Sequence, residues 1–201
     1  MRIVCLDLEG VLVPEIWIEF SKATGIPELS RTTRDEPDYD KLMRFRIDLL
    51  EKHGLKLADI QRAIGTMAPL PGALDFVGEL RKRTQLIILS DTFSQFAAPL
   101  MAKLGYPTLF CNSLEISVDG AVSGYKLRQK DGKRKSVEAF KTLNMTVFAA
   151  GDSYNDLNMI KVADSGALFR APAAIVEQHP EVPAVEDYTG LLALVDAFLA
   201  D

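Results

Sequence analysis

From residue 85 onward the chain alternates short apolar runs with amphipathic stretches, and this alternation limits the fold more than any other feature. The strand candidates are "QLIILS", "TLFCNSL", "TVFAAG" and "SGALF", with helical patterning at about residues 93–104, 133–143, 155–162 and 188–199. Runs without polar alternation belong to strands covered on both faces, and strands separated by helices pair in parallel. Residues 3–8 of the opening "MRIVCLDLEGVLVPE" have the same character. The expectation is an α/β fold, a doubly wound parallel sheet with a Rossmann-like core. The segment "LEISVDGAVSGY" has two alternating runs about Asp119-Gly120, the pattern of a β-hairpin.

A second pattern interrupts the first. "PEIWIEFSKATG" opens on proline and closes on Gly25, as a helix should. "DYDKLMRFRIDLLEKHG" sets Leu42, Phe45, Leu49 and Leu50 on one stripe, and "KLADIQRAIGTM" adds a third short helix. The expected division is 1–13 and 69–201 for the α/β core, with 14–68 as a helical cap beside the carboxyl end of the first strand.

A chain of 201 residues with 48% apolar and 25% charged side chains has the composition of a globular protein, not a disordered one. A net charge of −5 argues against nucleic acid or an anionic membrane as partner, so any phosphate site must be built locally. No apolar run approaches the roughly 20 residues that span a bilayer. Cys5 and Cys111 lie in strand runs and read as buried thiols of a reduced protein, without disulfide or zinc spacing. The expected location is the cytoplasm. His53 and His179 are isolated and receive no role.

Polar groups collect at the strand ends. Asp7 and Glu9 end the first strand, Ser90 and Asp91 end "LIILS", and Asp152 and Asp156 follow "VFAAG". Lysines cluster at the helix start in "KDGKRKSVEAF". Any one of these could simply cap a helix. Together, on strands of one sheet, they bring an acidic cluster, a hydroxyl and an ammonium to the crevice where open α/β sheets bind ligands. That mixture suits phosphoryl transfer with a divalent metal. Carboxylate oxygens favour Mg²⁺, with Asp7 and Asp152 as its ligands. A lysine would offset the repulsion between carboxylate and phosphate, and Ser90 would fix a phosphate oxygen for attack.

The order "DLEGV", "LSDT", a lysine, then "GDSYND" resembles the four motifs of the haloacid dehalogenase superfamily, in its phosphoserine phosphatase branch. By that resemblance Asp7 is the nucleophile that forms an aspartyl-phosphate, and Glu9 is the general acid and then the base. Ser90 binds phosphate and Lys133 neutralises it. Mg²⁺ is held by Asp7, Asp152 and the backbone carbonyl of Glu9, with Asp156 supporting lysine and metal. Lys133 is chosen over Lys130 and Lys135 because Val137, Phe140 and Leu143 follow it at helical spacing as a core face. Lys135 is the second choice. The resemblance also implies that Glu15 meets the substrate ammonium and Arg46 its carboxylate, which a guanidinium can grip through two parallel hydrogen bonds. Arg44 is a nearby rival. Asn155 and the backbone at Asp91 are further substrate contacts.

The sequence departs from the branch at three places: Glu9 where Asp is standard, Val11 where Thr is usual, and "SDT" for a Ser-Gly-Gly run. A carboxylate at Asp91 is unfavourable beside phosphate unless its side chain points away. These departures resemble a narrower subgroup that hydrolyses phosphoserine and also transfers its phosphoryl group to homoserine. The implied partners are those small molecules, and the oligomeric state is left open. Two rival readings share parts of the pattern: a receiver-like module phosphorylated on aspartate, and a non-catalytic phosphoamino-acid sensor.

Overall fold

The computed structural model describes residues 1–33, 35, 36 and 38–201. Strand β1 (Arg2–Leu6) is followed by three helices, α1 (Ile16–Thr24), α2 (Tyr39–Lys52) and α3 (Leu57–Thr66), with a 3-10 turn at Pro27–Ser30. Helix α4 (Ala73–Arg83) returns the chain to β2 (Gln85–Phe93), and α5 (Ser94–Lys103) leads to the hairpin β3 (Thr108–Ile116) and β4 (Val122–Lys126). Then come α6 (Gly132–Thr142), β5 (Thr146–Gly151), α7 (Leu157–Val162), β6 (Ser165–Phe169), α8 (Ala173–Gln178), β7 (Ala184–Val185) and α9 (Tyr188–Ala200).

The seven strands form one sheet in the order β4-β3-β2-β1-β5-β6-β7, parallel except for the β3–β4 hairpin. Because β1 lies at the centre, both its faces are buried, which is why its sequence lacks polar alternation. Val4 and Leu6 pack into one apolar cluster with α4, α5 and α9, while Ile3 and Cys5 pack into the other with α6 and α7. That two-residue period sets helices on both faces, as a doubly wound sheet requires.

The helices between β1 and β2 join the first cluster through residues such as Trp17, Met43 and Ile60. Helix α3 is tied down at both ends, to the β3–β4 hairpin and to α5. The Leu57 N–H donates to the Gly120 carbonyl at 3.0 Å, and Lys56 pairs with Asp119 at the hairpin turn. At the other end, Lys103 of α5 donates to the Gly65 carbonyl at 2.7 Å.

Several expectations need correction. β2 does not stop at Ser90 but runs to Phe93, with a shift of register against β3 between Leu89 and Phe93. The first arm of the hairpin is not a separate strand but the continuation of β3. Leu143 is not on the core face: α6 ends at Thr142, one residue short, and Leu143 is 66% exposed. Cys111 is half-buried and not in the core. Helix α8 and strand β7 were not anticipated, since six and two residues are too short for a periodic signal.

Candidate active site

The carboxyl ends of β1, β2 and β5 meet the first turn of α6. Asp7 follows β1 directly, and its N–H still donates to the Ala150 carbonyl at 3.0 Å, so the sheet holds its backbone. One carboxylate oxygen accepts the Leu8 N–H at 2.7 Å; the other lies 3.0 Å from Lys133 Nζ. Lys133 is buried and also lies 2.7 Å from Asp156 Oδ1 and 3.7 Å from Asp91 Oδ2. Burial alone would lower its pKa, but the carboxylates outweigh this and hold it above its ordinary value. Burial raises Asp7 well above the carboxylate range; Lys133 opposes the shift, and Asp156, Asp152 and Asp91 add to it. Lys135 is half-buried and takes no part.

Asp156 is fully buried and fully used. Its second oxygen accepts the N–H groups of Asp152 and Ser153 at 3.1 Å each and the Ser153 hydroxyl at 2.9 Å. Asp152 differs: among the described residues it has no ion-pair partner within 4.0 Å. Burial, with Asp156 and Glu15 adding, lifts its pKa to about 7. The carboxylate rests against Gly10, which has φ +74° and at which a Cβ would fall 2.4 Å from Asp152 Oδ2.

Glu9 lies outside the Lys133 ion-pair network but lines the same cavity. Its Oε2 accepts the Ile16 N–H at 2.9 Å, and the Thr92 hydroxyl also hydrogen-bonds its carboxyl. Burial, reinforced by Glu15, lifts Glu9 to about 8 against those two bonds, so the group carries its proton at neutral pH. Ser90 is buried, and its hydroxyl accepts the Thr92 N–H at 3.2 Å.

The opposite wall comes from α1 and α2. Arg46 is buried with its guanidinium 4.4 Å from the Trp17 ring centroid, and Nη2 donates to the Arg31 carbonyl at 2.7 Å. Among the described residues, Arg46 Nε is the one buried side-chain polar atom without a partner. Burial lowers Arg46 to about 10, which leaves it charged at neutral pH. Arg44, the rival, is exposed on another face of α2. Glu15 is exposed on the wall shared with Arg46. A cavity of about 320 Å³ joins these groups to Asp7, Ser90, Lys133 and Asp152. Asp91 does not point away: its carboxylate accepts from Asn155 Nδ2 at 3.0 Å. Neither Ser90 nor Asp91 caps α5, whose N-cap is Phe93.

Residues 1–164 match the family model described as haloacid dehalogenase-like hydrolase. The chain is 58% identical to phosphoserine phosphatase ThrH of Pseudomonas aeruginosa, covering 95% of this chain and 93% of that protein. It is 56% identical to a phosphoserine phosphatase of Pseudomonas syringae pv. tomato, covering 95% and 81%. The chain belongs to the haloacid dehalogenase-like hydrolase family. A solved structure of phosphoserine phosphatase as its phospho-aspartyl intermediate analogue superposes with TM-score 0.77 at 21% identity, over 95% of this hydrolase and 97% of that chain. A substrate-bound phosphoserine phosphatase superposes with TM-score 0.75 at 20% identity, over 92% and 93%. At such identities these two speak for the fold alone.

The donor set of this hydrolase fits a divalent cation. Ligand atoms of Asp7, Asp152 and Asp156 lie within 4.8 Å of one another. Asp156 already serves Lys133 and three other donors, which leaves Asp152, without an ion pair, and Asp7, with one partner on each oxygen, as the carboxylates that retain lone pairs for a metal. Oxygen-only ligands with room for water suit Mg²⁺. The Glu9 side chain is engaged elsewhere, so Glu9 could join only through its carbonyl.

Two residues of the hydrolase site escaped the sequence reading. Thr92 lies two positions after Ser90 and reaches Glu9. Tyr39 lines the cavity and donates to the Asp91 carbonyl at 3.4 Å. Tyr39 and Arg46 are seven apart, the spacing of one helix face, and that signal could have found it.

Proposed function

We propose that this hydrolase is a Mg²⁺-dependent phosphatase of phosphoserine that works through an aspartyl-phosphate on Asp7 and can pass the phosphoryl group to homoserine. The observation that carries the reading is the unpartnered Nε of buried Arg46 in the same cavity as the Asp7–Lys133 pair. One end of the cavity suits a phosphate and the other a carboxylate. Glu15 adds an acceptor for an ammonium. The named relatives support the same substrate.

Asp7 attacks phosphorus, and the bond to the serine oxygen breaks as Glu9 gives that oxygen its proton. The Ile16 N–H and Thr92 hydroxyl hold the Glu9 carboxyl in place. Glu9, now a carboxylate, takes a proton from the water that attacks the aspartyl-phosphate. Lys133 and Ser90 orient the phosphate oxygens throughout. Mg²⁺, held by Asp7, Asp152 and the Glu9 carbonyl, would neutralise charge between Asp7 and the incoming phosphate. Residues 14–68 act as the cap that supplies Arg46 and Glu15. Soluble small-molecule substrates suit a cytoplasmic enzyme.

Homoserine presents the same ammonium and carboxylate with its hydroxyl one methylene further out. Discrimination against one methylene is worth only about 1 to 3 kcal/mol, so the alcohol can compete with water for the aspartyl-phosphate. The test is phosphate release from phosphoserine with Mg²⁺ and with chelator, repeated with excess homoserine and followed by phosphorus NMR. Steady metal-dependent release with phosphohomoserine formation is expected. Only free phosphate at saturating homoserine would remove the transfer. A phosphoprotein that persists without turnover would favour the receiver-like reading, and binding without phosphoprotein or turnover the sensor.

A further inference from the structure

We propose that the Asp91 carboxylate keeps the phosphate pocket one charge short of neutrality, so that inorganic phosphate leaves readily and does not linger as an inhibitor. This rests on the phosphatase reading above.

Lys133 has three N–H donors. One goes to Asp156 Oδ1 at 2.7 Å, and the ammonium also pairs with Asp7 Oδ2 at 3.0 Å. Asp91 Oδ2 lies 3.7 Å from the same nitrogen, too long for a hydrogen bond, which leaves donor capacity for a phosphate oxygen on that side. Asp91 therefore stands beside the ammonium without holding one of its donors. It differs from the other carboxylates around Lys133 in exposure: its side chain is 49% exposed, against 8% for Asp7 and 0% for Asp156. The Asn155 amide fixes it there, so it cannot swing away without losing a 3.0 Å hydrogen bond.

The charge balance follows. Asp7, Asp91, Asp152 and Asp156 face the single ammonium of Lys133, and a divalent cation at the carboxylates would leave an excess of one negative charge. Asp156 is bound by Lys133, and Asp7 and Asp152 serve the cation, so Asp91 supplies the excess. A dianion is repelled by it. In a water-like dielectric, one charge about 6 Å from a dianion changes affinity by about tenfold. Phosphoserine offsets this through Arg46 and Glu15 at the far end of the cavity. Inorganic phosphate has no such anchor, so the repulsion bears chiefly on the product.

The experiment is Asp91→Asn in the Mg²⁺-loaded enzyme. Its side-chain oxygen can still accept from Asn155. The inhibition constant of inorganic phosphate against phosphoserine hydrolysis is expected to fall by about tenfold. The KM values for phosphoserine and for a phosphate ester without an ammonium should shift in the same direction. Phosphate binding is also read without turnover, by thermal shift with phosphate and Mg²⁺, and tightening there cannot arise from a damaged fold. Asp91→Ser serves as a second variant if the first folds poorly. An unchanged or weaker phosphate affinity overturns the proposal. A rise in KM confined to phosphoserine overturns it too, and assigns Asp91 to the substrate ammonium. Wild-type enzyme that releases no phosphate from phosphoserine would instead refute the phosphatase reading, while the thermal shift would still judge Asp91.

Discussion

The Lys133 ammonium lies 2.7 Å from Asp156 Oδ1, and both side chains are buried. Asp156→Ala would remove this partner and leave the Asp152 and Ser153 N–H groups without their acceptor. Breaking a buried pair by deleting one partner costs about 3 to 5 kcal/mol. Urea unfolding should show that loss, with Asp156→Asn in between because its amide oxygen still accepts hydrogen bonds. Wild-type stability in the alanine variant would contradict the pair's structural role.

Gly10 and Asp152 give a second expectation. Gly10→Ala must hold an alanine at φ +74°, at about 1 to 2 kcal/mol, and its Cβ would collide with the Asp152 carboxylate. If Asp152 holds Mg²⁺ as proposed, its displacement should remove most of the stabilisation expected from Mg²⁺ in wild-type thermal melts. An undiminished Mg²⁺ shift would mean that Asp152 is not a ligand.

The raised carboxyls make stability depend on pH with a definite sign. Glu9 rises from 4.5 to about 8 and Asp152 from 3.8 to about 7, so between those limits the folded chain holds protons that the unfolded chain has released. Stability without metal is therefore full below about pH 4 for these groups and declines as pH rises toward about 8. Mg²⁺ should flatten the Asp152 part of the decline, and Glu9→Gln the other part. Stability that climbs from pH 5 to 8 in the metal-free protein would contradict these shifts.

Arg46 stacks on Trp17 and leaves Nε free, which a lysine cannot imitate. Arg46→Lys should raise KM for phosphoserine strongly. Arg46→Ala should cost on the order of 2 to 5 kcal/mol in specificity, as for one partner of a buried charge pair. A phosphate ester lacking the carboxylate should lose far less. Equal losses on both substrates would assign Arg46 to stability.

Much of this site is readable in the chain because strand ends and helix starts are local signals. Asp7, Ser90, Lys133 and Asp152 each follow directly from the end of an apolar run or the start of a helical face. What escaped depends on contacts between distant segments. No local pattern announces that β2 continues past Ser90 with a shifted register, or that Asp91 meets Asn155 and Thr92 meets Glu9. Leu143 failed for the opposite reason: its spacing is right, but the helix stops before reaching it.

The pairing of β1 also shapes the order in which the molecule can assemble. Strand β1, which Asp7 follows, precedes both of its partners in the chain: among the described residues it pairs with residues 85–88 and 146–150. Each pairing closes a long loop, a slow step in folding. During synthesis the apolar β1 must therefore wait beside a helical insert that can settle first, exposed to wrong partners until β2 and then β5 emerge. A nascent chain stopped before residue 146 has no β5 to pair with that edge of β1, so Asp7 is made before the strands that position it.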